Sequence, residues 1–101
     1  VVKIRKHDEG DSKKAIEAAL AGHRSMKMVT IVDEDIDIGN PVRVEWAMVT
    51  RWQPDRDTYI YSNQKGSSLA PSRYEDGDTS KVGFDATIHH GDNPEGYQSV
   101  Q

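Results

Sequence analysis

With 101 residues, 35% of them hydrophobic, the chain has room for one domain with one core. Its net charge of −4, with lysine and arginine scattered along the chain, argues against nucleic-acid binding, and no apolar run approaches the roughly 20 residues that span a bilayer. The chain contains no cysteine, which excludes disulfides and thiolate metal sites and is typical of the reducing cytoplasm, where we expect the protein to reside.

The first third of the chain predicts a strand, a helix and a second strand. Residues 1–5 form a β-branched run that favours a strand. Residues 13–21 are rich in Ala, Leu, Ile and Glu, which favour a helix, and Asp11 or Ser12 is the expected N-cap. Residues 26–32 are nearly all apolar, which is typical of a strand that is covered on both faces of a parallel sheet.

A second helix is predicted from Pro41 to about Trp52. Asn40 offers a capping side chain directly before a proline at the first helical position. At 100° per residue, the apolar residues fall on two nearly opposite sides of this helix, which are Val42, Trp46 and Val49 on one side and Val44, Met48 and Trp52 on the other. Such a helix needs two partners. One is the sheet, and we expect the other to be a second domain or a second subunit, unless the terminal aromatic residue merely covers a loop.

The remaining segments complete the prediction of the fold. Residues 58–61 predict a third strand, 62–72 a loop, and 81–87 a last short strand. This order favours an α/β fold, a three-layer β-α-β-α-β unit with a mostly parallel sheet and helices packed on it. Because ligands approach the carboxyl ends of strands in such sheets, we expect the loops 6–11, 33–40 and 62–72 to share one functional edge.

Local motifs for metal or phosphate chemistry are incomplete. The acidic segment 33–37 resembles the start of a calcium loop, but Ile38 and Val44 occupy the positions that require Gly and Glu. We therefore expect this loop to hydrogen-bond a helix start or a neighbouring domain, and a small metal-binding protein is the weaker hypothesis. Residues 65–68 have the types of a phosphate loop in the wrong order. The histidines at 89–90 have no third ligand at a recognisable spacing, so we expect an exposed pair and no metal site.

Four ordered blocks of the chain together resemble the C-terminal domain of the UbiD family of decarboxylases. The blocks are residues 29–37, 44–57, 65–72 and 81–87, and the last of them reads Lys81-Val82-Gly83-Phe84-Asp85-Ala86-Thr87. Residues within 4–16 match as well, so the resemblance covers roughly residues 2 to 88. We accordingly expect one domain over 1–88 and a polar tail over 89–101 that is mobile or docked on a partner.

The resemblance implies a non-oxidative decarboxylase or carboxylase that acts on an aromatic or α,β-unsaturated acid with prenylated FMN, a divalent metal, usually manganese, and potassium. The modified flavin holds the electrons that remain when carbon dioxide departs. The family's metal ligands and proton relay lie in a preceding flavin-binding domain, which nothing in this chain matches. The resemblance therefore implies no catalytic residue, no metal ligand and no bound cofactor in this chain alone.

What the C-terminal domain supplies in the family is one wall of the active-site cleft, a closing motion and much of the dimer contact. By its place in the family pattern, Lys81 is similar to the lysine that reaches the flavin phosphate, although a lysine on a strand is otherwise an ordinary exposed residue. The resemblance also implies three residues that line the cleft, Asp85, Ala86 and Thr87. The implied partners are the flavin-binding domain and further copies of the chain in a homo-oligomer.

Two functional hypotheses follow. In the first, the chain is the C-terminal part of a UbiD-type decarboxylase, either a fragment of a longer chain or a separately encoded subunit, and is inactive alone. A first residue of Val1 and not Met favours a start inside a longer reading frame, although a trimmed N-terminus would look the same. In the second, the chain is a free-standing binding or assembly module that has kept the fold and lost the reaction. A start codon just before Val1, with no flavin domain encoded nearby, would favour the second.

Overall fold

The computed structural model describes residues 1–22, 26–65 and 78–89. These residues form a sheet and two helices, in the order β1 (Val2–Ile4), α1 (Asp11–Gly22), β2 (Met28–Asp33), α2 (Pro41–Arg51), β3 (Thr58–Lys65) and β4 (Asp78–Ala86). Each predicted element is present, with ends that differ by a few residues. Among the described residues, neither helix is long and apolar enough to cross a membrane.

The sheet has four strands in the order β1-β2-β4-β3. The pairs β1–β2 and β2–β4 are parallel, whereas β3 is antiparallel to β4, so the prediction of a mostly parallel sheet is confirmed. Because β3 is antiparallel to β4, the last residue of β3, Lys65, pairs with the first residue of β4, Asp78. The prediction that the loop 62–72 shares an edge with the other two loops is therefore wrong for residues 62–65, and 66–72 lie outside the described residues.

Helix α1 packs on one face of the sheet. Ile16 enters a core with Val29 and Ile31, and all three side chains are buried. Beneath the helix, a Cβ atom added to Gly83 would overlap the Cγ2 atom of Ile16. The close approach of α1 to β4 therefore requires a glycine at this position.

Helix α2 packs on the opposite face, which gives the three predicted layers. Its inner side meets a core that contains Val32, Ile36 and Ala86. The ring of Trp52 stands edge-on to Phe84, with the ring centroids 5.4 Å apart. The prediction of two apolar sides is confirmed in part: Val44, Met48 and Trp52 pack on this core, and so does Trp46, whereas Val42 and Val49 are 71% and 75% exposed.

The two helices begin in different ways. Asn40 caps α2 as predicted, since its side-chain oxygen accepts a hydrogen bond from Val42 N at 3.1 Å. The prediction that Asp11 or Ser12 caps α1 is wrong. The carboxylate of Asp11 accepts hydrogen bonds from the backbone N–H groups of the preceding turn, at His7 and Asp8, and these lower the pKa of Asp11. The hydroxyl of Ser12 is buried and bonds to the Thr87 hydroxyl.

Candidate functional site

The carboxyl ends of the three parallel strands meet at one edge of the sheet, which we call the carboxyl edge. Two polar clusters lie there, as expected for ligand-binding edges of α/β sheets. The arginine cluster consists of Asp33, Asp35 and Arg51, and the histidine cluster of Glu9, Asp57, Asp85 and His89. The N–H group of Ile88 links them, because it donates to Asp33 from the segment that leads to His89.

In the arginine cluster, the guanidinium of Arg51 is fully buried at the end of α2. Its Nη1 atom lies 3.0 Å from an oxygen of Asp33, and both terminal nitrogens bond to Asp35, at 2.9 and 2.8 Å. The ring of Trp46 lies 5.2 Å from the guanidinium carbon. The acidic loop therefore binds the last residue of a helix of its own domain, so the prediction that it bonds a helix start is wrong for these two carboxylates. A bond to a neighbouring domain stays a prediction.

The three charged side chains of this cluster shift one another's pKa values. The hydrogen bonds from Arg51 hold the pKa of Asp35 below its ordinary value. Burial raises the pKa of Asp33, although the N–H of Ile88 and the charge of Arg51 oppose the shift. Burial alone would lower the pKa of Arg51, but its bonds to the two carboxylates raise it above the ordinary value. The pKa values of the two aspartates are thus shifted in opposite directions: that of Asp35 is lowered and that of Asp33 is raised.

In the histidine cluster, one imidazole lies between three carboxylates from distant parts of the chain. The Nδ1 atom of His89 is 2.7 Å from Glu9, and its Nε2 atom is 2.8 Å from Asp57 and 3.7 Å from Asp85. Both aspartates are buried, and the side chain of His89 is only 15% exposed. The sequence-based expectation that His89 belongs to an exposed pair is therefore wrong; His90 lies outside the described residues.

Further contacts hold the end of β4 in place. The N–H and hydroxyl groups of Thr87 donate to Asp85, and the buried ammonium of Lys6 donates to the Thr87 hydroxyl at 3.2 Å and to the Ile88 carbonyl at 3.4 Å. The carboxylate of Asp57 accepts from Gln53 N and from Arg56. These contacts fix the direction of the segment that follows β4.

Within the described residues, ligand atoms of Asp57, Asp85 and His89 lie within 4.8 Å of one another, a donor set that transition metals accept. Each of the two carboxylates already receives hydrogen bonds from protein N–H or O–H groups, and Lys6 and Arg56 supply positive charge beside them. We therefore read this cluster as an ion-pair network that fastens the carboxyl edge. Sequence reasoning missed it because its members are separated by up to 80 residues.

The residues that the resemblance singled out fall in two places. Three of them lie at the carboxyl edge with their side chains buried beneath the surface: Asp85, Ala86 and Thr87. Lys81 is 5% exposed and lies four residues earlier on β4, about 13 Å away at ~3.3 Å per residue, on the face that α1 covers. The fold therefore brings three of the four together and leaves Lys81 apart from them.

An open groove of about 330 Å³ lies at the carboxyl edge, beside the arginine cluster. It is lined by residues of three segments: Ile4, Arg5, Lys6, Asp33, Glu34, Asp35 and Ile88. An exposed ion pair between Arg5 and Glu34, at 3.0 Å, stands at its rim. Concave sites with a few convergent polar groups are the usual shape of ligand-binding surfaces.

The three-layer fold, with its polar carboxyl edge, defines an α/β domain with a mostly parallel sheet. A family model described as the 3-octaprenyl-4-hydroxybenzoate carboxy-lyase C-terminal domain matches residues 1–86. The chain belongs to this family, the C-terminal domains of UbiD-type enzymes.

Relatives and solved structures agree with this assignment. The anhydromevalonate phosphate decarboxylase of Methanosarcina mazei is 53% identical over 87 residues, which are 86% of this chain and 21% of that protein. The UbiD-class enzyme HmfF from Pelotomaculum thermopropionicum, solved with FMN, has a TM-score of 0.90 at 39% identity and covers 98% of this chain and 22% of that one. An evolved dimeric form of that enzyme with prenylated FMN has a TM-score of 0.70 at 36% identity over 90% of this chain and 18% of that one. The chain thus spans about a fifth of the length of the proteins that it matches.

Proposed function

We propose that this chain is the cleft-wall part of a UbiD-type decarboxylase or carboxylase, acts on an aromatic or unsaturated carboxylic acid together with a flavin-binding domain, and is inactive alone. The observation that carries the proposal is the match of residues 1–86 to the C-terminal domain, together with the decarboxylases of which that region is one fifth. The lack of cysteine supports a cytoplasmic location.

Prenylated FMN is the proposed cofactor of the complete enzyme, with a divalent metal, manganese, held by the preceding domain. The similar solved enzymes, one with FMN and one with prenylated FMN, support the flavin. When bound, the cofactor accepts the electrons that the departing carbon dioxide leaves behind. The residues of this chain supply the shape and charge of one side of the cleft.

The groove at the carboxyl edge is the proposed wall. Lys6 and Asp33 line it, and the buried residues Asp85 and Thr87 support that surface from the inside. Asp85, Ala86 and Thr87 therefore act, in this proposal, by fixing the wall and not by touching the acid. The burial of all three side chains supports this role.

Lys81 is the proposed ligand of the flavin phosphate, supported by its position in the family pattern. In the full-length protein, Lys81→Met should lower the flavin content measured by absorbance, because the phosphate loses a cation. Lys81→Arg, which keeps the charge, is the matched control and should retain more flavin. Equal flavin content in the two variants would contradict the proposed role of Lys81.

A homo-oligomer is also proposed, with the exposed side of α2 as its contact. Val42 and Val49 lie seven residues apart on that side and are largely exposed. Apolar side chains in one line on a helix are suited to pack against a second copy of the same helix.

Carbon dioxide release tests the proposal. The full-length protein, loaded with prenylated FMN and manganese and given a panel of aromatic and unsaturated acids, should release carbon dioxide, and the 101-residue chain under the same conditions should release none. Turnover by the chain alone would contradict the proposal. A full reading frame that encodes no flavin-binding domain, and no such domain encoded nearby, would favour the free-standing module.

A further inference from the structure

Helix α2 covers only part of the sheet face on which it packs. The strand register places Met28, Val82 and Ile60 side by side on β2, β4 and β3. Phe84 lies two residues beyond Val82 on the same face and contacts Trp52 at the end of α2. The row therefore lies on the α2 face, beyond the reach of the helix, and Met28 and Ile60 are 62% and 70% exposed.

The adjacent row on this face is also uncharged. It consists of Thr30, Phe84 and Thr58, which the register pairs across the same three strands. Single exposed apolar residues are ordinary, but an uncharged patch that continues across three neighbouring strands is a feature of interaction sites. We call the row of Met28, Val82 and Ile60 the open face.

The other side of the sheet is covered by α1. Under α1, the side chains of Ile16, Val29 and Ile31 are all buried, and the helix approaches β4 as closely as Gly83 permits. Strands that pair in parallel are normally covered on both faces. The open face thus lacks a layer that the described part of this chain does not supply.

We infer that the polypeptide that precedes this domain in the full-length enzyme packs on the open face; this inference rests on the proposed function. Two observations select this occupant. The matched decarboxylases are about five times as long as the matched region, which their family description places at the C-terminus. The chain enters the sheet at the exposed residue Val1, directly before the edge strand β1 and beside β2, which carries Met28.

The composition of the open face agrees with a permanent intramolecular contact. Permanent interfaces are apolar at their centre and resemble a domain core that has been divided, whereas transient ones carry more charge. The row of Met28, Val82 and Ile60 has no charged member. A polar ligand or a charged partner finds no complementary group there.

Cysteine labelling tests the inference, because the chain has no cysteine of its own. Ile60→Cys is prepared both in the 101-residue chain and in the full-length protein, with Met28→Cys as a second position on the open face. Ala18→Cys, on the exposed side of α1, is the matched control. Maleimide labelling is followed by peptide mass, and circular dichroism checks that each variant is folded.

We expect labelling of Cys at position 60 or 28 to be at least tenfold slower in the full-length protein than in the chain alone, at every protein concentration, with equal rates at position 18. Equal rates at positions 60 and 28 would overturn the inference. Protection in the isolated chain that grows with its concentration would identify a second copy as the occupant and would also overturn it. Protection in a full-length protein that releases no carbon dioxide would reject the proposed function and leave the packing of the open face supported.

Discussion

The carboxyl edge and the open face belong to the same four strands but are stabilised in different ways. At the carboxyl edge, every carboxylate of the arginine cluster meets a guanidinium or an N–H group of this domain. On the open face, Met28 and Ile60 have apolar side chains that are mostly in contact with solvent. Among the described residues, the carboxylates of the arginine cluster are thus paired within the domain, whereas one apolar region of the sheet has no covering layer.

The largest effect is expected from breaking the arginine cluster. Arg51→Met keeps the volume of the side chain but leaves Asp33 and Asp35 without their cation, so we expect the free energy of unfolding to fall by about 3 kcal/mol. Urea denaturation of the isolated chain measures it.

Arg5→Met is the matched control for that variant. The pair of Arg5 with Glu34 is exposed on both sides, so its loss should change the free energy of unfolding by less than about 1 kcal/mol. Equal losses for the two variants would contradict the claim that the buried ion pairs of Arg51 stabilise the fold more than the exposed pair of Arg5 does.

A smaller effect should come from adding volume to the two faces of β4. Gly83→Ala forces a methyl group into Ile16, and we expect a loss of about 2 kcal/mol in unfolding free energy. Ile16→Val in the same chain should recover part of it. On the open face, Val82→Ile should cost less than about 0.5 kcal/mol, as surface substitutions do. A similar loss at both positions would show that the open face is already packed within this chain.

The smallest effect concerns acid. The lowered pKa of Asp35 means that its pairing stabilises the fold above the ordinary value of 3.8 and that this stability is lost as the pH falls through the folded pKa. The raised pKa of Asp33 has the opposite sign, since its ionisation costs stability as the pH rises past 3.8. Asp35→Asn should therefore flatten the loss of stability between pH 6 and pH 3, and Asp33→Asn should steepen it. Urea midpoints at several pH values measure both, and equal slopes in the two variants would contradict the assignment.

Much of the fold follows from local sequence signals. The apolar run at 26–32 and the Asn40-Pro41 pair that starts α2 can each be recognised from residues that are adjacent in the sequence. The structure contains both the strand and the capped helix. The direction of β3 was missed, because strand composition does not show whether a strand pairs parallel or antiparallel. The cap of α1 was missed because the preceding turn competes for Asp11.

The candidate site was harder to predict. The acidic loop was visible as a motif, but its partner, Arg51, is 16 residues away from Asp35 and at the far end of a helix. The histidine cluster joins Glu9, Asp57 and His89, whose proximity depends on the strand order. The motif around Asp85 was found only through the family resemblance, and its burial became visible only in three dimensions.

Hydrogen–deuterium exchange of the isolated chain and of the full-length protein tests most directly whether one region of this domain is complete and another is not. Peptides that cover β2 and β3 should exchange at least tenfold more slowly in the full-length protein, because a packed layer suppresses local opening. Peptides that cover α1, which packs on the opposite face of the sheet, should exchange at the same rate in both. Equal exchange of β2 and β3 in the two proteins would contradict the account.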